Sequence, residues 1–95
     1  MKNKLISPLE LVKLLVEKGF GEELLGNLCI NTLQTWLREA KRLIVVVEVD
    51  FDGYFYSRIY ILEDGRGKLL IPGTQHCSTY NEALMLGIEK ALKLI

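Results

Sequence analysis

Residues 79–95 read TYNEALMLGIEKALKLI, and this stretch decides the fold. Thr79 and Glu82 have the spacing of a capping box, in which the threonine side chain accepts from the amide three residues on and the glutamate reaches back. Apolar residues then recur every three or four positions as far as Ile95, which is the period of a helix packed on a core. The sequence therefore predicts a closing helix over 79–94.

Two further helices are predicted ahead of it. Ser7-Pro8-Leu9-Glu10 combines a serine cap, an early proline and a glutamate, and it predicts a helix over 8–18. Asn31 is placed to cap a second helix over 32–42, whose apolar residues fall on one stripe. The intervening segment 20–30 stays open between a short helix and a loop, because its glycines weaken a helix.

The pattern between the second and third helices is that of strands. Residues 43–49 are dense in β-branched side chains, which favour strands. The hairpin signal Asp52-Gly53 separates them from a second strand over 54–62. A second turn at 64–67 leads to a third strand over 68–71. The element order is therefore α-α-β-β-β-α.

This order predicts an α+β fold in one domain of 95 residues. We expect residues 31–95 to form a three-stranded antiparallel meander packed on one face by two helices, with residues 1–30 as a helical addition. The core has the element order of a double-stranded RNA-binding domain, but that is an analogy of fold alone. In that family lysines at the start of the closing helix contact phosphates, whereas this helix begins with Thr79 to Glu82. Binding of double-stranded RNA is therefore disfavoured.

Composition narrows the function classes. Twelve basic residues balance twelve acidic ones, which counts against strong phosphate binding. The longest apolar runs are too short to span a bilayer, so we expect a cytoplasmic protein with no membrane contact. Cys29 and Cys77 are interpreted as small buried residues rather than as a disulfide.

The register of the first hairpin decides which side chains face outward. A three-residue loop over 51–53, with its glycine in the left-handed conformation, pairs Asp50 with Tyr54. The core face then carries Val45, Val47, Val49, Phe55, Ser57, Ile59 and Ile61. A two-residue turn would instead place the three valines beside the tyrosines. We favour the first register because it gathers the least polar side chains together.

In that register the other face presents a candidate interaction surface, which consists of Tyr54, Tyr56, Arg58 and Tyr60 on the second strand. These side chains could simply cover the sheet, could bind a protein partner, or could stack bases. Met85 and Leu86 add to the candidate surface, since they lie on the side of the closing helix that carries its polar residues.

No arrangement of residues indicates catalysis. His76 and Cys77 adjoin, but neighbouring loop residues rarely point at each other and nothing supplies an orienting third group. A zinc site needs about four ligands of the right type, which one histidine and two distant cysteines do not provide. We therefore expect no catalytic residue, no metal and no cofactor.

The chain resembles a family of small uncharacterised proteins from Bacteroidetes that are often associated with phage or mobile elements. The resemblance covers roughly residues 31–95 and is carried by Trp36-Leu37-Arg38-Glu39, by 80–84 with Gly87-Ile88, and by 91–95. It implies a phage-associated protein and supplies no activity and no catalytic residue.

Together these observations predict a non-enzymatic protein-interaction module, expected to be a homodimer or to bind another protein. The alternative is a weak single-stranded nucleic-acid binder that uses the Tyr54, Tyr56, Arg58 and Tyr60 face.

Overall fold

The computed structural model describes residues 8–21 and 29–95. Within them the elements are α1 (Pro8–Glu17), α2 (Ile30–Lys41), β1 (Leu43–Val49), β2 (Phe55–Glu63), β3 (Arg66–Ile71) and α3 (Tyr80–Lys93). The strands form one antiparallel sheet in the order β1-β2-β3, and the helices pack on it. The predicted α+β class and element order are confirmed. The serine cap at residue 7 and the possible helix from 22 to 28 lie outside the described residues.

The two helix starts that can be compared differ in outcome. Thr79 caps α3 as predicted: its Oγ1 accepts a hydrogen bond from the Glu82 amide at 3.1 Å, and its hydroxyl donates to the Glu82 carboxylate. The predicted Asn31 cap of α2 is wrong. The helix begins earlier because Cys29 takes the extended capping conformation and its carbonyl accepts from the Leu33 amide. Asn31 therefore lies inside the first turn.

The favoured hairpin register is confirmed. The Asp50 amide donates to the Tyr54 carbonyl at 2.9 Å, and Gly53 has a φ of 83°, which is the left-handed conformation the loop requires. The Asp50 carboxylate also accepts from the Asp52 and Tyr54 amides and so holds the loop closed. Val45 then lies opposite Ile59 on the face that the helices cover.

The second hairpin is tighter than predicted. Asp64 and Gly65 have φ values of 51° and 76°, so both central residues of the turn are left-handed. Glu63 therefore pairs directly with Arg66, and β3 begins two residues before the predicted strand. The sequence signal at 64–67 marked the turn, but it did not show that an aspartate would take the first left-handed position.

The main core lies between the sheet and the helices. It joins leucines of all three helices to the inward side chains of β1 and β2. Its tightest point is Gly87 of α3, where an added Cβ would lie 2.6 Å from Val45 Cγ1 and 2.7 Å from Ser57 Cβ and Oγ. Fully buried Ser57 donates to the Ala83 carbonyl at 2.6 Å. The helix thus packs directly against the side chains of Val45 and Ser57 at this glycine.

We predict that Gly87→Ala destabilises the protein, although alanine is the better helix former. The added methyl must displace either the helix or two short, buried side chains, and overpacking of this kind costs about 1–3 kcal/mol. The helix-propensity gain returns at most about 1 kcal/mol. Urea unfolding followed by circular dichroism would measure the balance.

Lys90→Ala, on the exposed side of the same helix, is the matched control and should change stability little. A Gly87→Ala variant as stable as the wild type would contradict the close packing of α3 on the sheet.

Candidate interaction surface

One face of the sheet is left open by the described helices. α2 and α3 pack on the face that carries Val45 and Ile59. The opposite face, here called the open face, comprises Ile44, Val46 and Glu48 of β1, Tyr56, Arg58, Tyr60 and Leu62 of β2, and Leu69 of β3. No helix in the described part of the chain packs on it.

The open face is apolar at one end. Ile44, Tyr60 and Leu69 lie side by side across the three strands, because the pairing registers place Ile44 and Leu69 on either side of Tyr60. Ile44 and Tyr60 are half-buried by their neighbours, while Leu69 on the outer strand keeps 44% of its surface exposed. This end offers contiguous apolar surface to a partner.

The other end of the open face is polar, and its groups bind one another. Arg58 Nη1 lies 3.7 Å from Glu48 Oε1, and the Tyr56 hydroxyl donates to the same carboxylate at 3.3 Å. Arg58 Nη2 in turn donates to the Tyr56 hydroxyl at 3.4 Å. Hydrogen bonding with Tyr60, followed by the charge of Glu48, raises the pKa of Arg58. Arg58 is therefore a charged side chain that a carboxylate already neutralises.

His76 joins this polar end, which sequence reasoning missed. Its ring stacks on Tyr56 with 4.9 Å between centroids and 14° between planes. Its Nδ1 lies 2.6 Å from Asp50 Oδ2. Because Phe55 and Cys77 form a β-bridge, the segment that carries His76 runs beside the start of β2. Sequence spacing gives no signal for this contact, since the residues lie far apart in the chain.

The same bridge separates His76 from Cys77. Alternation along an extended segment sends neighbouring side chains to opposite faces. Cys77 accordingly points inward and is 1% exposed, in a small cluster with Ala83 and Leu86, whereas His76 lies on the outer side. Their adjacency in the sequence therefore does not make a nucleophile and its base.

Asp50 ties the hairpin loop to the polar end. Desolvation alone would raise its pKa, but the Tyr54 and Asp52 amides, together with His76, outweigh this effect and hold the pKa of Asp50 below its ordinary value. The folded hairpin thus stabilises the ionised form of the Asp50 carboxylate. The depression beside it, of about 400 Å³, is lined by Val49, Asp50, Phe51, Tyr56 and His76.

The remaining residues of the predicted interaction surface differ in exposure. Tyr54 is 50% exposed next to the fully exposed Phe51. The expectation that Met85 and Leu86 are surplus surface is wrong: Leu86 is 6% exposed against the Cys77 cluster, and Met85 is partly buried against the main core. α3 contacts the sheet and also α1, so its buried side is wider than one stripe.

Cys29 also departs from expectation. It is exposed rather than buried, and Cys77 alone fits the predicted role of a small core residue; no disulfide joins the two. The Cys29 Sγ lies 3.1 Å from Thr32 Oγ1. Among residues 8–21 and 29–95, no group of three or more histidine, cysteine, aspartate or glutamate side chains could hold a metal ion.

Comparison with known proteins gave no match to a family model, a curated protein or a solved structure. The resemblance to the Bacteroidetes family and the RNA-binding element order therefore stay predictions. None of the described helices has the length and apolar character needed to cross a membrane.

We predict that Asp50→Asn lowers the melting temperature at neutral pH and makes the melting temperature less dependent on pH in the acid range. The pKa of Asp50 is lower in the folded state than in the unfolded state. Its stabilising effect is therefore complete above the unfolded pKa of about 3.9 and is lost as the pH falls through the folded pKa. The wild-type and variant melting curves should converge in acid.

Asp52→Asn, in the same loop, is the matched control and should follow the wild type. If the melting temperatures of Asp50→Asn and of the wild type differ by the same amount at every pH, the carboxylate does not hold the hairpin as described.

We predict that the two thiols react very differently. Hydrogen bonding, first with the Thr32 side chain and then with its amide, lowers the pKa of Cys29. Cys29 should therefore react with iodoacetamide in the native protein. The pH at which its reaction rate is half-maximal should lie below the ordinary thiol pKa of about 8.5. Cys77 should react only on unfolding. Mass spectrometry of the alkylated chain measures both, and Thr32→Val should move the Cys29 profile to higher pH while Thr35→Val leaves it in place.

Proposed function

We propose that this chain is a non-enzymatic protein-interaction module of the cytoplasm that self-associates through its sheet. The observation that carries the proposal is the β1 side of the open face, where Ile44 and Val46 offer apolar surface that no described helix covers. Surfaces of this kind, rimmed by polar groups, are typical of protein-binding sites.

Charge favours a protein partner over a nucleic acid. Glu48 neutralises Arg58 on the open face, and Asp50 adds a further carboxylate at the same end. A phosphate approaching this surface would meet two acids for one arginine. Tyr56 is also engaged, because His76 stacks on its ring. Tyr56 and Arg58, which would stack a base and bind a phosphate, are therefore already engaged with other side chains of the protein.

The polar groups also favour binding over catalysis. His76 binds Asp50, and Tyr56 binds Glu48, so these side chains position one another on the sheet surface. An arrangement in which these side chains bind one another suits a surface that fixes orientation, because a partner meets a rigid pattern of charges.

We expect the wild-type chain to show a mass that rises with concentration in sedimentation equilibrium. Val46 lies at the middle of β1 on the open face, so Val46→Lys removes apolar surface and places a charge where a second copy would approach. The dissociation constant should rise at least about tenfold, which corresponds to about 1.4 kcal/mol.

Val16→Lys, on the exposed side of α1, is the control and should leave self-association unchanged. A wild-type chain that remains monomeric at several hundred micromolar contradicts the proposal. Fluorescence anisotropy with a single-stranded oligonucleotide tests the alternative: salt-dependent binding that is lost in Tyr56→Ala and Arg58→Ala would support nucleic-acid binding instead.

A further inference from the structure

The backbone of β1 has an open hydrogen-bonding edge. At its two ends, the Leu62 amide donates to the Arg42 carbonyl and the Asp50 amide donates to the Tyr54 carbonyl. Bonded and non-bonded pairs alternate along an antiparallel pair of strands. The even-numbered residues of β1 therefore bond β2, and the odd-numbered ones direct their amides and carbonyls away from it: Leu43, Val45, Val47 and Val49. None of these four has another backbone partner among the described residues.

The two edges of the sheet differ in protection. β3 carries Arg66 and Lys68 and is interrupted by a bulge opposite Ile59 and Tyr60, devices that discourage pairing with another strand. β1 reads LIVVVEV, and its single charge, Glu48, lies on the open face beside Arg58. A regular apolar edge of seven residues without such protection favours the addition of a strand.

Polar side chains of α2 lie beside the first half of this edge. A groove of about 200 Å³ separates α2 from the first half of β1. Its walls are formed by Asn31, Gln34, Thr35 and Arg38 on the helix and by Ile44 and Val45 on the strand. The polar wall can bond to an incoming backbone or side chain, while Ile44 and Val45 border the unpaired edge.

We propose that the β1 edge pairs with β1 of a second copy, antiparallel and centred on Val46, to form one continuous six-stranded sheet. The proposal rests on the self-association proposed above and specifies its geometry. In this register Leu43 pairs with Val49 of the second copy, and Val45 pairs with Val47. The outward amides and carbonyls of all four odd-numbered residues are then satisfied in both protomers.

Self-complementarity favours a second copy over an unrelated peptide. Centring on Val46 places Glu48 opposite Ile44 of the other copy, so that no like charges are opposed. Directly opposed residues share a face, and the helices of both copies therefore cover the same side. The two-fold arrangement also closes on itself, because the β3 edges left at its ends are the protected ones.

Amide exchange measured residue by residue by NMR tests the pairing within one strand. The Val45 and Val47 amides should exchange at least tenfold more slowly as concentration rises through the dimerisation range. The Ile44 and Val46 amides, which bond β2 in either state, should show no comparable change and serve as internal controls. Outward amides that stay unprotected in a demonstrated dimer would overturn the inference while leaving the proposed function intact.

A pair of variants separates the edge from the open face. Val49→Pro removes one outward amide at a side chain that is already 59% exposed, so the monomer should keep its fold while the dissociation constant rises at least tenfold. Leu69→Lys changes the open face away from the edge and should leave the dimer intact. The reverse result would indicate that the faces stack, and would overturn the edge pairing but not self-association.

Two further outcomes are decisive. A wild-type chain that never dimerises overturns both proposals. The second test adds to the monomer a synthetic peptide that has the composition of residues 43–49 in a scrambled order. If this peptide protects the outward amides from exchange, the edge is not specific for a second copy, and the inference is overturned.

Discussion

The close approach of α3 to the sheet at Gly87 is the constraint on which the rest of the structure depends. With no Cβ at this position, the helix rests against Val45 and Ser57, and the Ser57 hydroxyl bonds to its backbone. This contact fixes which face of β1 and β2 is covered. It thereby also fixes which face remains open, because strand side chains alternate. The candidate surface is a consequence of where a glycine allows a helix to dock.

The Asp50 loop enforces the same division from the other side. A slip of one residue in the β1–β2 pairing would place Val45 and Val47 on the same face as the tyrosines, so that one of the two sets would leave the face it now occupies. The carboxylate of Asp50 prevents this by binding two amides of its own loop, and its second oxygen reaches His76. One side chain therefore sets the register and anchors the segment that completes the polar end of the open face.

Local signals predicted most of the fold, and contacts between distant segments account for what they missed. The Thr79 cap and the glycine at position 53 act within a few residues, so the sequence alone was enough to place α3 and the first hairpin. His76 reaches Tyr56 only because the Cys77 segment bridges back to β2, which no local pattern encodes. Leu86 was wrongly predicted to be exposed for a similar reason. The apolar stripe of α3 does not show that the Cys77 segment packs against a second side of the helix.

The open face and the open edge belong to one physical problem. A three-stranded sheet with helices on one side exposes both a face and two edges, and each must be protected, covered or used. Charges and a bulge protect β3, and paired polar groups occupy half of the face, whereas the outward groups of β1 are covered by nothing in the described chain. Hydrogen bonds between main-chain groups of two strands stabilise an association and also fix the direction and register of the strands. An apolar face alone does not fix either. The edge therefore determines how two copies would align, and the apolar row of Ile44, Tyr60 and Leu69 would remain available beside the joined strands.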